Sequence, residues 1–527
     1  MGNTLGFIPV TSVAVHTAQM GDLRVAGCGR QMKSAKAMTL TVFAICMACI
    51  QGVGHSSATS NEEKFVFETW NGQKVEAFRG SFMVPENRTT RGSREIPIKY
   101  VRLPATGSKA GQPIVYLAGG LGGSGIQAIN YRYRMFMAMR KHGDVIALDQ
   151  RGTGDSNVNP ECQSTQTVPA TTATIDRRFA EYYRDALKEC LAFWQRKGVD
   201  LAGYNTVQSA QDLEALRRHL GAEKIVLWGT SYGSHLALAA LREMPGHIDR
   251  VVISSVEGLN QTFKLPARTD EYFDRLQAAI DTQLRAKAAY PDIKALMGRV
   301  HAKLERKPAR IQLKLRDERR IDYLLQRRDM QMLAAGLIAD PRSAAQLLGI
   351  YRAVEQGADA PLDQIPARLL PDHLTTAGEP ITLEAMPIAM DIASGMTADR
   401  RREVSDQAKM AILGNFLDPA MLFDGLAPEL DLGDAFRAGP VSGVPVLALS
   451  GTLDGRTTID SQREALSGLS NVTVITLKNA GHNLFDEDAS AIQEAIDLFM
   501  EGNAERADTI EVELPDMATG RSSGTGR

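Results

Sequence analysis

The chain has 527 residues, 44% hydrophobic and 23% charged, with a formal net charge of -2. That length can bury a large core, and 60 Lys and Arg against 62 Asp and Glu leave no basic excess suited to nucleic acid. No internal repeat is visible, and the polar stretch 502–527, ending ATGRSSGTGR, is predicted to be a disordered tail.

At the N-terminus, Lys33 and Lys36 precede an uncharged apolar run, Met38 to Ile50, and Ser56-Ser57-Ala58 supplies small residues for cleavage. This layout predicts a leader and secretory signal peptide over 1–58, cut near Ala58, and an exported protein. The run is too short to cross a bilayer as a stable helix, which takes about 20 apolar residues. Cys46-Met47-Ala48 is a poor match to a lipid-attachment signal at Cys49. Of five cysteines, Cys28, Cys46 and Cys49 precede the cut, and the remaining pair, Cys162 and Cys190, is predicted to form a disulfide in an oxidising compartment. No Cys/His cluster has metal-ligand spacing, so neither metal nor cofactor is expected.

Short alternating bursts from Glu63 to Leu103, such as REIPIKYVRL, predict an antiparallel strand pair. Pro113 to Ala118 (PIVYLA) has the continuous apolar character of a buried parallel strand. It ends in Gly119-Gly120-Leu121-Gly122-Gly123-Ser124-Gly125, whose glycines let backbone N–H groups approach a ligand. The lysine of a phosphate-binding loop and the dinucleotide glycine register are both missing, which leaves an anion-stabilising loop. A helical stretch (Ile126 to Lys141), a strand (Asp144 to Asp149) running into QRGTGDS, and helices near Ala180 to Lys197 and Ser209 to Leu220 follow.

The strand Ile225 to Trp228 then runs into Gly229-Thr230-Ser231-Tyr232-Gly233 and an apolar helix. G-x-S-x-G between strand and helix is the nucleophile-elbow pattern, which lifts a serine hydroxyl at a sharp turn. After another strand, Arg250 to Ser255, the chain shows helical periodicity from 257 to 439 with no buried β-run of similar quality, which predicts an inserted helical cap. The charge run Arg316 to Arg328 is predicted to be a solvated helix face. The sheet resumes with Val444 to Ser450, followed by Gly451-Thr452-Leu453-Asp454, and with Val472 to Leu477, followed by Asn479-Ala480-Gly481-His482, before a closing helix from Ala489 to Met500. Alternating strands and helices predict an α/β class, a mostly parallel sheet with helices on both faces, assembled from 59–256 and 440–501.

A serine hydroxyl becomes a useful nucleophile when an imidazole takes its proton and a carboxylate fixes that imidazole. His16 and His55 lie in the leader, His142 and His219 at helix ends, His235 on the elbow helix, His247 at the wrong end of the sheet, and His301 and His373 in the insert. His482, on a loop after a late core strand, is therefore the predicted base, and Asp454, at the end of the preceding strand, its acid. The order Ser, Asp, His fits this elbow architecture. The oxyanion hole is predicted from the N–H of Tyr232 and that of Gly119, with Gly120 as the near alternative.

The segments LAGGLGGSG, LDQRGTGDS, WGTSYGSHLAL, SGTLDGRTT and NAGHNLF resemble the α/β-hydrolase serine peptidases of the prolyl iminopeptidase and tripeptidyl aminopeptidase group, over roughly Ile96 to Met500. The resemblance implies an α/β-hydrolase fold and a secreted exopeptidase acting on free peptide N-termini under a helical cap. Two departures bear on the first substrate pocket: the family loop's proline is absent from Ala118-Gly119-Gly120-Leu121-Gly122, and Asp454-Gly455-Arg456-Thr457-Thr458 lacks the proline that usually follows. An aminopeptidase needs an anchor for the substrate ammonium, for which Glu257 at the cap boundary is the candidate. A small ester or amide is the competing substrate class, because the triad does not separate esterase from peptidase chemistry.

Overall fold

A computed structural model of the protein describes residues 62–108, 111–357, 362, 370–487, 489–503 and 507–520. The expected leader over 1–58 lies outside the described residues. In chain order the strands are β1 (Glu63–Glu68), β2 (Lys74–Pro85), β3 (Glu95–Leu103), β4 (Ile114–Leu117), β5 (Val145–Leu148), β6 (Cys162–Thr167) and β7 (Ile225–Thr230). They continue with β8 (Ile248–Ser254), β9 (Ala309–Lys314), β10 (Arg320–Leu325), β11 (Pro380–Leu383), β12 (Val446–Gly451), β13 (Val472–Lys478) and β14 (Thr509–Glu511).

One ten-stranded sheet runs in the order β1-β2-β3-β5-β4-β7-β8-β12-β13-β14. Strands β1, β2, β3 and β5 pair antiparallel in succession, and every pairing from β5 through β4 to β14 is parallel. The apolar runs IVYL and VIAL are buried along their whole length because both faces of the parallel part are covered. Val115 and Leu117 pack with the helices Asp176–Arg196, Thr206–His219 and Tyr232–Glu243; Ile114 and Tyr116 pack with Gly125–Tyr131, Tyr133–Met139 and Ser490–Met500. Period-two side-chain alternation thus divides each short strand between two cores.

The segment between β8 and β12 has a hydrophobic core of its own, centred on the helices Pro266–Asp281, Ile293–Arg306, Arg327–Leu337 and Pro341–Gln356. It is not wholly helical. An antiparallel hairpin, β9 with β10, buries Ile311, Leu313, Tyr323 and Leu325, and β11 reaches back to pair antiparallel with β6. The charge run Arg316 to Arg328 is accordingly not a solvated helix face. Arg316 and Arg319 lie around the hairpin turn, while Arg328 is buried against Phe179, 4.6 Å from its ring centroid, with Asp176 as ion-pair partner.

Within the tail expected to be disordered over 502–527, residues 507–520 are structured; 504–506 and 521–527 lie outside the described residues. β14 adds the last parallel strand, and Met517 is fully buried in the cap core, where the Gln283 carboxamide brackets it through Met517 N (2.8 Å) and Pro515 O (2.8 Å). A few apolar residues in register, Ile510, Leu514 and Met517, suffice to seat a segment whose average composition reads as unfoldable. As expected, a disulfide joins Cys162 on β6 to Cys190 on the helix Asp176–Arg196.

Candidate active site

Ser231 stands between β7 and the helix Tyr232–Glu243 with φ 53° and ψ -125°, a conformation that costs a non-glycine residue about 1–3 kcal/mol. Its surroundings impose that turn. A Cβ on Gly233 would lie 2.1 Å from Leu117 O on β4, and one on Gly229 would lie 2.6 Å from Gly233 O, so the elbow packs against the sheet only with glycine at both sites. Ser231 N donates to Ser254 O at 3.0 Å, which ties the turn to β8.

The glycine loop lies alongside. A Cβ on Gly119 would come within 2.8 Å of Thr230 O, and Gly120 has φ +67°. The loop is held from below by the buried Asp149, whose carboxylate accepts from Ser124 Oγ (2.6 Å), Ile126 N (3.0 Å) and Asp155 N (2.8 Å). Burial pushes its carboxyl up to about 6, against the opposing pull of those hydrogen bonds. Arg151, also buried, forms a bidentate pair with Asp212 (2.7 Å on both arms) and donates to Glu86 O. The QRGTGDS element therefore builds the loop's foundation rather than facing a ligand. The backbone N–H groups of Gly119, Gly120 and Tyr232 donate to no acceptor among the described residues.

Asp454, with no exposed surface, accepts from His482 Nδ1 at 2.9 Å, Thr457 Oγ1 at 2.6 Å, Thr457 N at 2.9 Å and Arg456 N at 2.8 Å. Burial alone would raise this carboxyl; the neighbouring His482 and the Thr457 donors outweigh it and hold it below the usual range. His482 is fixed through its backbone as well, with N donating to Ala339 O (2.7 Å) and O accepting from Ser255 Oγ (2.6 Å). Each other described histidine is engaged elsewhere: His142 with Asp497, His219 with Tyr100, His247 with Glu214, His301 with Tyr351 and His373 with Asp329. His235 is bonded to Gly258 O, and burial lowers it to about 4.

Ser231, His482, Gly119 and Gly120 line one cavity of about 600 Å³ between the sheet and the cap. Met332, Ala335, Leu370, Leu417 and Pro419 make its cap wall apolar, and Arg456 and the Arg132–Asp486 pair supply charge. Among the described hydrogen bonds none joins Ser231 Oγ to His482, a contact that often tightens only when substrate is bound. Glu257 is not part of the wall: its carboxylate pairs with Lys264 at 3.1 Å. Thr457, Asp149 and Arg456 were missed by sequence reasoning. Their signal lay in motifs already singled out, one threonine and one arginine after Asp454 and one aspartate at a strand end.

These features define a class. Residues 112–489 match the family model for the alpha/beta hydrolase fold, and the chain belongs to that family. Within it, the chain is similar to a tripeptidyl aminopeptidase of Streptomyces lividans, 26% identical over 189 residues that make up 34% of this chain and 35% of the relative. It is likewise similar to the serine protease Hip1 of Mycobacterium bovis, 29% identical over 191 residues, 34% of this chain and 35% of the relative. The match spans about a third of the length of each relative. Among solved structures, an epoxide hydrolase from Vigna radiata aligns over 80% of this chain and 98% of its own, at 14% identity with a TM-score of 0.36, and says nothing about the reaction.

Proposed function

We propose that the protein is an exported serine exopeptidase that releases residues or short peptides from free N-termini through an acyl-enzyme. The observation that carries this reading is His482, bonded to the buried Asp454, facing the same cavity as Ser231 on its strained elbow. In the reaction Ser231 Oγ attacks the scissile carbonyl while His482 Nε2 takes its proton and later delivers it to the leaving amine. Asp454 holds the imidazole by Nδ1, and water then attacks the acyl-enzyme with the same base. The N–H groups of Tyr232 and Gly119, uncommitted within the protein, receive the oxyanion; one such donor contributes about 3 kcal/mol to barrier lowering.

Similarity to peptidases supports an amide substrate, and the cap over the cavity supports cleavage near a chain end. The disulfide supports an oxidising compartment, and among the described residues no helix is long and apolar enough to cross a membrane. Because Glu257 is paired to Lys264, selection for a free N-terminus rests on enclosure by the cap rather than on that carboxylate. A fluorophosphonate probe should label the protein and fail to label Ser231→Ala. Turnover of peptidyl 4-nitroanilides, abolished when their amine is acetylated, is the expected result; turnover of 4-nitrophenyl esters alone would make the protein an esterase.

A further inference from the structure

The cap does more than cover the cavity. Two consecutive residues linking the cap helices Arg327–Leu337 and Pro341–Gln356 bond directly to both loops that carry the acid and the base. Ala339 O accepts from His482 N at 2.7 Å, and Ile338 O accepts from Gly455 N, next to Asp454, at 3.2 Å. Neither loop could approach with a side chain in the way: a Cβ on Gly481 would lie 2.5 Å from Ala339 O, and one on Gly455 would lie 2.6 Å from Ile338 O.

The residues on either side of Asp454 are held by the cap as well. Leu453 is 2% exposed and packs in the cap's core cluster, not in either sheet core. Arg456, whose N–H donates to Asp454 Oδ1, sends its guanidinium to Leu417 O (3.1 Å) and Asp418 (2.9 Å). On their strand side the two loops are tied directly to each other, Leu453 N donating to Ala480 O (2.8 Å) and Asn479 N to Thr452 Oγ1 (2.9 Å), so the 2.9 Å contact between Asp454 and His482 bridges loops fixed at one end by the sheet and at the other by the cap.

We propose that Ile338 and Ala339 are positioning residues for the reaction: their carbonyls hold the Asp454 and His482 loops in register, so seating of the cap and alignment of the acid–base pair are one equilibrium. The proposal rests on the catalytic roles given above for Ser231, His482 and Asp454. A cap that only sieves substrate would leave the turnover of a very small substrate untouched when its seat is loosened; a positioning cap would not.

The test compares Ile338→Ala and Ile338→Val with the unmodified protein, using 4-nitrophenyl acetate and a peptidyl 4-nitroanilide. The expected result for Ile338→Ala is a kcat on the acetate lower by about tenfold to 100-fold with little change in KM, since small misplacements of catalytic groups carry penalties of that order. The downfield proton resonance of the His482–Asp454 hydrogen bond should weaken in parallel, and Ile338→Val should restore both. An unchanged kcat on the acetate, with only the KM for the peptide raised, overturns the proposal. If the unmodified protein neither hydrolyses the acetate nor accepts a fluorophosphonate, the catalytic reading itself fails, which is a separate outcome. Should Ile338→Ala lose its cooperative thermal transition, Gly455→Ala, whose Cβ would lie 2.6 Å from Ile338 O and so part the acid loop from that carbonyl, is judged by the same readings.

Discussion

The two walls of the cavity are built by different means. On the sheet side, Ser231, Gly119 and Gly233 are placed by steric necessity, with backbone atoms so close that a single added carbon would collide with Thr230 O or Leu117 O. On the cap side, the cavity is faced by apolar side chains such as Met332 and Leu417, and backbone packing as close as the elbow's occurs at the helix junction, where Gly455 and Gly481 meet Ile338 O and Ala339 O. Close backbone packing thus runs from the elbow round to the helix junction, and the part of the enclosure free to vary is the apolar side-chain face of the cap.

The sharpest way to break this contrast is to make the same substitution on each side. Gly233→Ala should cost more than about 4 kcal/mol or prevent folding, measured by urea unfolding together with probe labelling, because its Cβ would sit 2.1 Å from Leu117 O. At the junction of sheet and cap, Asp454→Asn should lower kcat by about 10⁴-fold with the melting temperature little changed, as initial rates and calorimetry would show, because the wrong imidazole tautomer is then favoured.

Where the walls meet, loss of the Cys162–Cys190 bridge, which closes a span of 28 residues, should remove about 3–4 kcal/mol, read from denaturant midpoints with and without reductant. Since β6 pairs with β11, the cap should also become the more readily proteolysed part.

A smaller effect concerns pH. The Asp149 carboxyl has its folded value pushed up to about 6 from 3.8, so the stability it contributes is full below about pH 4 and lost as pH rises through about 6. Asp149→Asn should abolish this dependence. The difference in unfolding free energy between variant and unmodified protein should therefore move in the variant's favour between pH 4.5 and pH 7, by about 2 kcal/mol. The smallest expected effect completes the opening pair. Gly298 lies inside the cap helix Ile293–Arg306 with open space around it, so Gly298→Ala should stabilise the protein by up to about 1 kcal/mol in a thermal melt.

The same division explains what the sequence disclosed. β4, β5, β7 and β12 were legible because parallel strands covered on both faces must be apolar without interruption, and β8 and β13 by their runs of β-branched residues. The convergence of Ser231 and His482 on one cavity, with Asp454 bonded to His482, was foreshadowed because each follows a sheet strand and their positions in chain order constrain which can meet. The cap was misjudged in detail because RIQLK and RIDYLL bury only alternate residues, and their arginines mask the strand pattern. Glu257 was placed at the right boundary but with the wrong partner, because nothing in the sequence marks Lys264 as its neighbour. Met517 went unseen for a related reason: one buried methionine does not change the composition of its segment.

That methionine has a bearing on biogenesis. Since the cap nucleus is filled in part by Met517, a side chain from a segment far downstream, the cap cannot reach its final packing until that segment has been delivered to it. The sheet receives β14 from the same stretch, so both halves wait on the arrival of one segment. A polypeptide interrupted shortly before that point would carry every reactive group yet hold them in an unfinished enclosure.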